Sequence, residues 1–255
     1  MPRRLRSGNL YASPPPPPPR PARIPPANVT RNQDYEILAG STNIPLGLTR
    51  KKVAECHIEF LDVGPVDPKS PPEEDHSNHC ILRLTFLHQL QDNTPYAPIG
   101  TRGVILDLEG VDQNETTISG ELMASTFAYE GPHQKCLHAA PLRMGGQRTV
   151  GDCVRIIRNS GLVPCQFDSL DENLVGCRDF ISQLVYQLNR YKFLRLPADA
   201  NITVYDRFNY KYNEDGNPPN NRVLDPVSYA LFDRAYQHTA INGITYTGTR
   251  NFLDE

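Results

Sequence analysis

The chain has no tryptophan and only three methionines, and no apolar run approaches the roughly 18 residues that a membrane-crossing helix requires. No membrane association is expected. The N-terminus also lacks the apolar core of a secretory signal. Neither G-x-x-x-x-G-K-[ST] nor G-x-G-x-x-G occurs, so no phosphate-cradling loop argues for a nucleotide, and no cofactor is expected. No single charge sign dominates: 26 basic side chains stand against 29 acidic ones, a net charge of −3. That balance excludes a basic nucleic-acid binder and an acidic disordered chain alike. The six cysteines, Cys56, Cys80, Cys136, Cys153, Cys165 and Cys177, include no C-x-x-C pair. In a chain without a secretory signal they are expected to be free thiols in a cytoplasmic protein. The sequons at Asn28, Asn114 and Asn201 carry no weight in that setting.

Proline is what the chain has in excess: 24 residues, ten of them within the first 30. The segment 13–26, SPPPPPPRPARIPP, cannot bury apolar surface and favours extended polyproline II. Its six consecutive prolines prevent the amphipathic helix of an organelle transit peptide. The register Pro15-x-x-Pro18-x-Arg20 fits a peptide docking on an SH3-type domain, although a solvated spacer has the same composition. The first 30 residues hold five arginines and no acid, so the rest carries 21 basic against 29 acidic side chains, a net −8. A disordered basic tail is expected over 1–48, an ordered core domain over 49–197 and a C-terminal extension over 198–255. The 225 residues beyond the first 30 suffice for one sizeable core.

Within the core, residues 53–62 alternate, with Ala54, Cys56, Ile58 and Phe60 on one face, as a half-buried strand does. After an acidic proline-rich loop, CILRLTFL places Cys80, Leu82, Leu84 and Phe86 on one face, with His79 opening the strand on the other. GVILDL (103–108) and a weaker segment at 120–129 continue an antiparallel meander. The period then changes. Thr149 and Asp152 form a capping box ahead of Val150, Cys153, Val154, Ile156 and Ile157, and Gly161 ends that helix. Cys177, Phe180, Ile181, Leu184, Val185 and Leu188 mark the stripe of a second helix, with the cysteine in its first turn. Residues 202–212 read as a strand, and Asp225-Pro226 as the capped start of a last helix to about His238. The expected fold is α+β, an antiparallel sheet of four to six strands with two main helices on one face.

A thiol at a helix N-terminus feels the partial positive charge of unpaired amides, which favours the nucleophilic thiolate. Catalysis also requires an imidazole in hydrogen-bond reach and a third group to orient it. His79 is the candidate imidazole, and Asp107 or Asn78 the candidate orienting group. The order His before Cys is the reverse of papain's, but such a triad is defined by geometry, not by chain order. Arg178 could hold a thiolate or a substrate carboxylate, or simply pair with Asp179, Asp171 or Glu172 at the surface. The bland alternative makes Cys177 a small core hydrophobe and His79 a strand-end residue bonded to a carbonyl. His76, His79 and Cys80 cluster in sequence, but an extended strand splits them between two faces and no second ligand pair follows, so no metal site is expected. The aromatic residues 205, 208, 210, 212, 229, 232, 236 and 246 fit either a ligand pocket or a core.

Asn78-His79 opening an apolar strand, GVILDLEG, TVGDCVRIIRNSG and Gly176-Cys177-Arg178-Asp179-Phe180 together resemble an uncharacterised fungal family, a domain of unknown function. Its members carry an N-H-W strand start, a V-R-x-D-M strand, a T-V-G-D helix start and a G-C-R-F-W helix start. The resemblance spans about residues 53–194. The family is in turn similar to permuted papain-like (NlpC/P60-type) hydrolases and acyltransferases, which implies a pairing of His79 with Cys177. This chain departs from it with Cys80 where the family has tryptophan and Asp179-Phe180 where it has Phe-Trp, removing aromatic bulk beside both residues. Three functions follow as expectations: a cysteine-dependent hydrolase or acyltransferase acting on a small molecule or peptide, an inactive binding or accessory protein of fungal secondary metabolism, or an adaptor working through the polyproline tail.

Overall fold

The structure is a computed structural model that describes residues 34–65, 76–114, 117–170, 173–213, 222–233 and 235–248. Pro15, Pro18 and Arg20 lie outside the described residues. In chain order the elements are β1 (Asp34–Ile37), α1 (Leu46–Thr49), β2 (Lys52–Pro65), β3 (His76–Phe86), β4 (Gly103–Asn114), β5 (Thr117–Phe127), β6 (Cys136–Leu142), β7 (Arg148–Thr149), α2 (Val150–Ser160), β8 (Cys165–Leu170) and β9 (Asn173–Val175). There follow α3 (Cys177–Arg190), α4 (Ala200–Thr203), a 3-10 turn (Tyr205–Asn209), β10 (Tyr210–Tyr212), β11 (Arg222–Leu224), β12 (Val227–Ser228), β13 (Leu231–Phe232) and β14 (Tyr246–Thr247).

The fold is α+β, but its sheet is larger than the four to six strands expected. Ten strands join in the order β13-β8-β5-β4-β3-β2-β6, with β1 added to β5, β7 to β2 and β9 to β8. The extra strands come mostly from short segments whose pattern is too brief to read as strand in sequence. β1 pairs antiparallel with β5 and Leu48 of α1 is fully buried, so packed structure reaches upstream of the expected boundary at Thr49, at least to Asp34. In β2 the register with β3 shifts between Val53 and Glu55; this bulge turns Val53 into the core and leaves the expected core residue Ala54 exposed. Beyond it, Cys56, Ile58 and Phe60 are buried as the alternation requires, as are Cys80, Leu82, Leu84 and Phe86 of β3.

The helices form as their sequences dictate. Thr149 accepts from the Asp152 amide and Asp152 accepts from the Thr149 amide, completing the capping box of α2, and Gly161 ends it in the left-handed conformation. α3 packs on β3 and α2 through Phe180, Ile181, Leu184, Val185 and Leu188, all fully buried. Each large aliphatic or aromatic side chain so buried contributes about 1.5–3 kcal/mol.

Two expectations beyond Pro197 are corrected. Residues 202–212 are not one strand: Val204, Tyr205 and Phe208 are buried at helical spacing, Ile202 is 75% exposed, and only 210–212 are extended. Nor does a helix follow Asp225-Pro226. The Asp225 carboxylate is held by Arg178 and cannot cap, the Val227 amide donates to the Thr245 carbonyl at 2.8 Å, and the Ala230 amide donates to the Asp179 carboxylate at 2.9 Å. Partners distant in sequence have taken the amides that a helix would have used. Tyr205, Phe208, Tyr212, Phe232 and Tyr236 are core residues. Among the described residues no helix is long and apolar enough to cross a membrane.

Candidate active site

β3 and β4 pair only from Leu82 opposite Leu106 to Thr85 opposite Gly103, although both strands continue past Leu82 and Leu106. The ladder therefore opens beside His79, Cys80 and Asp107, and the N-terminus of α3 meets β3 on this side. Gly176 stands at the N-cap with φ +129°, a conformation that side chains resist, and a Cβ there would lie 3.2 Å from the Cα of Ala230. Glycine at this position supplies no side-chain cap, so the first-turn amides of α3 keep their partial positive charge for the next residue, Cys177.

Of the four residues that sequence reasoning named for this chemistry, Cys177, His79 and Asp107 converge here. His79 Nε2 is in direct contact with Asp107 Oδ1. The Cys177 thiol lies near enough to His79 to feel its hydrogen bonding and its charge. The Cys80 amide, lying where the ladder to β4 has stopped, donates to the Cys177 sulfur. Burial alone would raise the thiol, but the hydrogen bond and positive charge of His79 outweigh it and hold Cys177 below the ordinary thiol range. Burial would likewise depress His79, yet the bonds to Asp107 and Cys177 lift it to about 10. Both shifts favour the thiol proton residing on the imidazole. Of the six cysteines only Cys177 is shifted down: burial pushes up Cys56, Cys80, Cys153 and Cys165, and lifts Cys136 to about 12. All six are free.

Cys177 is also unlike its neighbours on the helical stripe, being only partly buried against the core. The His79 side chain is 23% exposed and that of Asp107 7%. Both line a cleft of about 320 Å³ whose walls include Ile81, Ile105, Phe127 and Lys135. The cleft meets the pair on the imidazole side; Cys177 is not part of its lining. The hydroxyls of Ser125, Thr126 and Tyr129, also in its wall, are buried without a hydrogen-bond partner among the described residues. Beside the cleft, the buried Glu59–Arg83 ion pair (2.5 Å) ties down the 129–135 loop, because Glu59 also accepts from the His133 amide at 3.0 Å.

No family model, curated protein or solved structure matches the chain.

Two expected site residues have other occupations. Asn78 does not orient His79: its amide donates to the Tyr212 carbonyl at 3.0 Å and its carbonyl accepts from the Tyr212 amide, pinning β10 to β3. Arg178 does not pair with Asp179; its charge is among the influences that hold the Cys177 thiol down, while its side-chain bonds go to the C-terminal segment. It donates to the carbonyls of Phe208 and Asp225 at 2.9 Å each and to the Asp225 carboxylate at 2.6 Å, a clamp on the C-terminal segment. Asp171 and Glu172 lie outside the described residues. Asp179 is fully buried and bonded to His238 at 3.0 Å, so its charge is spent away from the thiol. Among the described residues no three His, Cys, Asp or Glu side chains are grouped to hold a metal ion. Sequence reasoning missed the Cys80 amide and the cleft hydroxyls. Nothing in a lone strand hydroxyl or backbone amide distinguishes it beforehand.

Proposed function

We propose that this protein is a cysteine-dependent hydrolase or acyltransferase, a permuted papain-like enzyme related to the fungal family that its motifs resemble. The observation that carries this reading is the bonded series Cys177–His79–Asp107, with the thiol shifted down at the uncapped start of a 14-residue helix. The Cys177 thiolate attacks an acyl carbon, and the carbonyl electron pair moves to oxygen, where the first-turn amides of α3 stabilise it. Collapse of this intermediate expels the leaving group, which takes the proton from the His79 imidazolium. His79, now neutral, removes a proton from water or from an acceptor nucleophile, which attacks the thioester and restores the thiolate. Asp107 is the positioning residue: it fixes the ring orientation and stabilises its charged form.

The test is acyl-enzyme trapping with p-nitrophenyl esters of short acids, read by intact-protein mass spectrometry. One equivalent of p-nitrophenol and one acyl adduct on Cys177 are expected, both absent in Cys177→Ala. Unmodified protein after prolonged exposure contradicts the proposal.

A further inference from the structure

A second cavity, of about 550 Å³, is lined by the end of β6, the segment 195–198 that follows α3, and residues 203, 204 and 207; Cys177 is not part of its lining. Its charged lining consists of Arg143, Arg195 and Arg207; Leu142, Leu196 and Val204 supply apolar wall, and among the described residues no carboxylate lines it. In a body carrying a net −8 beyond residue 30, a cavity with three cations and no anion is against the average composition. The backbone holds the first two together: the Arg195 amide donates to the Arg143 carbonyl at 2.9 Å, beside the bridge between Met144 and Leu194. Both side chains are exposed, and neither has an ion-pair or hydrogen-bond partner among the described residues.

Arg207 is aimed differently. Its Nε donates to the Thr203 carbonyl and its Nη1 to His138 Nε2, each at 2.6 Å. A guanidinium can only donate, so His138 accepts and must be neutral on that nitrogen. Burial and the nearby Arg207 and Arg222 push His138 down to about 4, which keeps it an acceptor at any ordinary pH. Its ring is stacked flat on Tyr212, with centroids 4.3 Å apart, so the acceptor is itself fixed. Arg207 is therefore oriented entirely by neutral groups, and its charge is not neutralised by the contacts that position it.

Three guanidinium groups around one hollow repel each other unless an anion occupies it, and their planar forks match the oxygens of a phosphoryl group. We propose that this cavity binds a small phosphorylated ligand, its phosphate gripped by Arg143, Arg195 and Arg207 and its organic part resting on Leu142, Leu196 and Val204. The site is separate from Cys177 and does not rest on the proposed acyl transfer.

Isothermal titration with pyrophosphate, at fixed ionic strength, tests this on the full chain, with inorganic phosphate and citrate as parallel arms. Arg143→Gln and Arg195→Gln are the informative variants, because neither side chain makes a bond whose loss would disturb folding. The wild type is expected to bind one pyrophosphate saturably. Each single variant should weaken binding at least tenfold, and the double variant should abolish it, while Cys177 alkylation stays unchanged. Citrate binding as tight as pyrophosphate overturns the phosphate assignment. Unchanged affinity in the double variant, or no saturable binding to about 10 mM, the weak end of measurable affinity, overturns the site.

Discussion

Replacing Asp107 with asparagine keeps the shape of a buried side chain and removes only its charge, so it isolates what that carboxylate does to the pair beside it. The contact with His79 is nearly shielded from solvent on the aspartate side, at 7% exposure. A hydrogen bond to a charged group contributes about 1.5–3 kcal/mol net. At about 1.36 kcal/mol per pKa unit, that is about one to two units of the elevation of His79. His79 should therefore lose its proton at a correspondingly lower pH than its wild-type value of about 10, while the Cys177 thiol, still facing an imidazolium where it titrates, keeps its downward shift. The assay is the pH profile of acyl transfer between pH 4 and 10, with urea unfolding to show that the variant retains its fold. The expected result is a basic limb displaced downward by about one to two pH units, with the acid limb in place. A basic limb that does not move in Asp107→Asn refutes the coupling, and with it the assignment of Asp107 as positioning residue.

Other consequences can be measured alongside. Acyl transfer should follow a bell-shaped pH profile: it rises as Cys177 loses its proton below the ordinary thiol range, and it falls as His79 loses its own near pH 10. An acid limb at or above the ordinary thiol value contradicts this. Arg178→Gln removes the clamp on Asp225 and two carbonyls and should cost about 2–3 kcal/mol, read by urea unfolding; unchanged stability with a weakened affinity for acidic substrates would restore a substrate role for it. Gly176→Ala places a Cβ against Ala230 at a positive φ and should destabilise by about 1–3 kcal/mol, again by urea unfolding; a neutral effect would show that the start of α3 is not constrained as described.

Local signals made much of the core legible. The alternation of Cys56, Ile58 and Phe60, the Thr149–Asp152 capping box and the stripe from Cys177 to Leu188 each depend on residues close in sequence. The elements that were misread depend on distant ones. A helix after Asp225 is locally reasonable until Arg178, 47 residues earlier, takes the aspartate, and Asp179 takes the Ala230 amide. The bulge that exchanges Ala54 for Val53 is a property of the pairing with β3, not of β2 alone. At the site, residue types pointed to His79 and Cys177. Choosing between Asp107 and Asn78 required knowing that β4 parts from β3 at Asp107 and that β10 docks on Asn78. The same contrast holds for Arg178, whose position beside the cysteine suggested chemistry while its reach makes it a tether.

The most direct measurement is native-state alkylation at pH 6.5, a brief exposure to iodoacetamide followed by peptide mass spectrometry across all six cysteines. Modification confined to Cys177, and suppressed in His79→Ala, is the outcome expected of a thiolate maintained by its imidazole. A Cys177 that stays unmodified until denaturant is added, or that reacts no faster than Cys136, contradicts the account at its root.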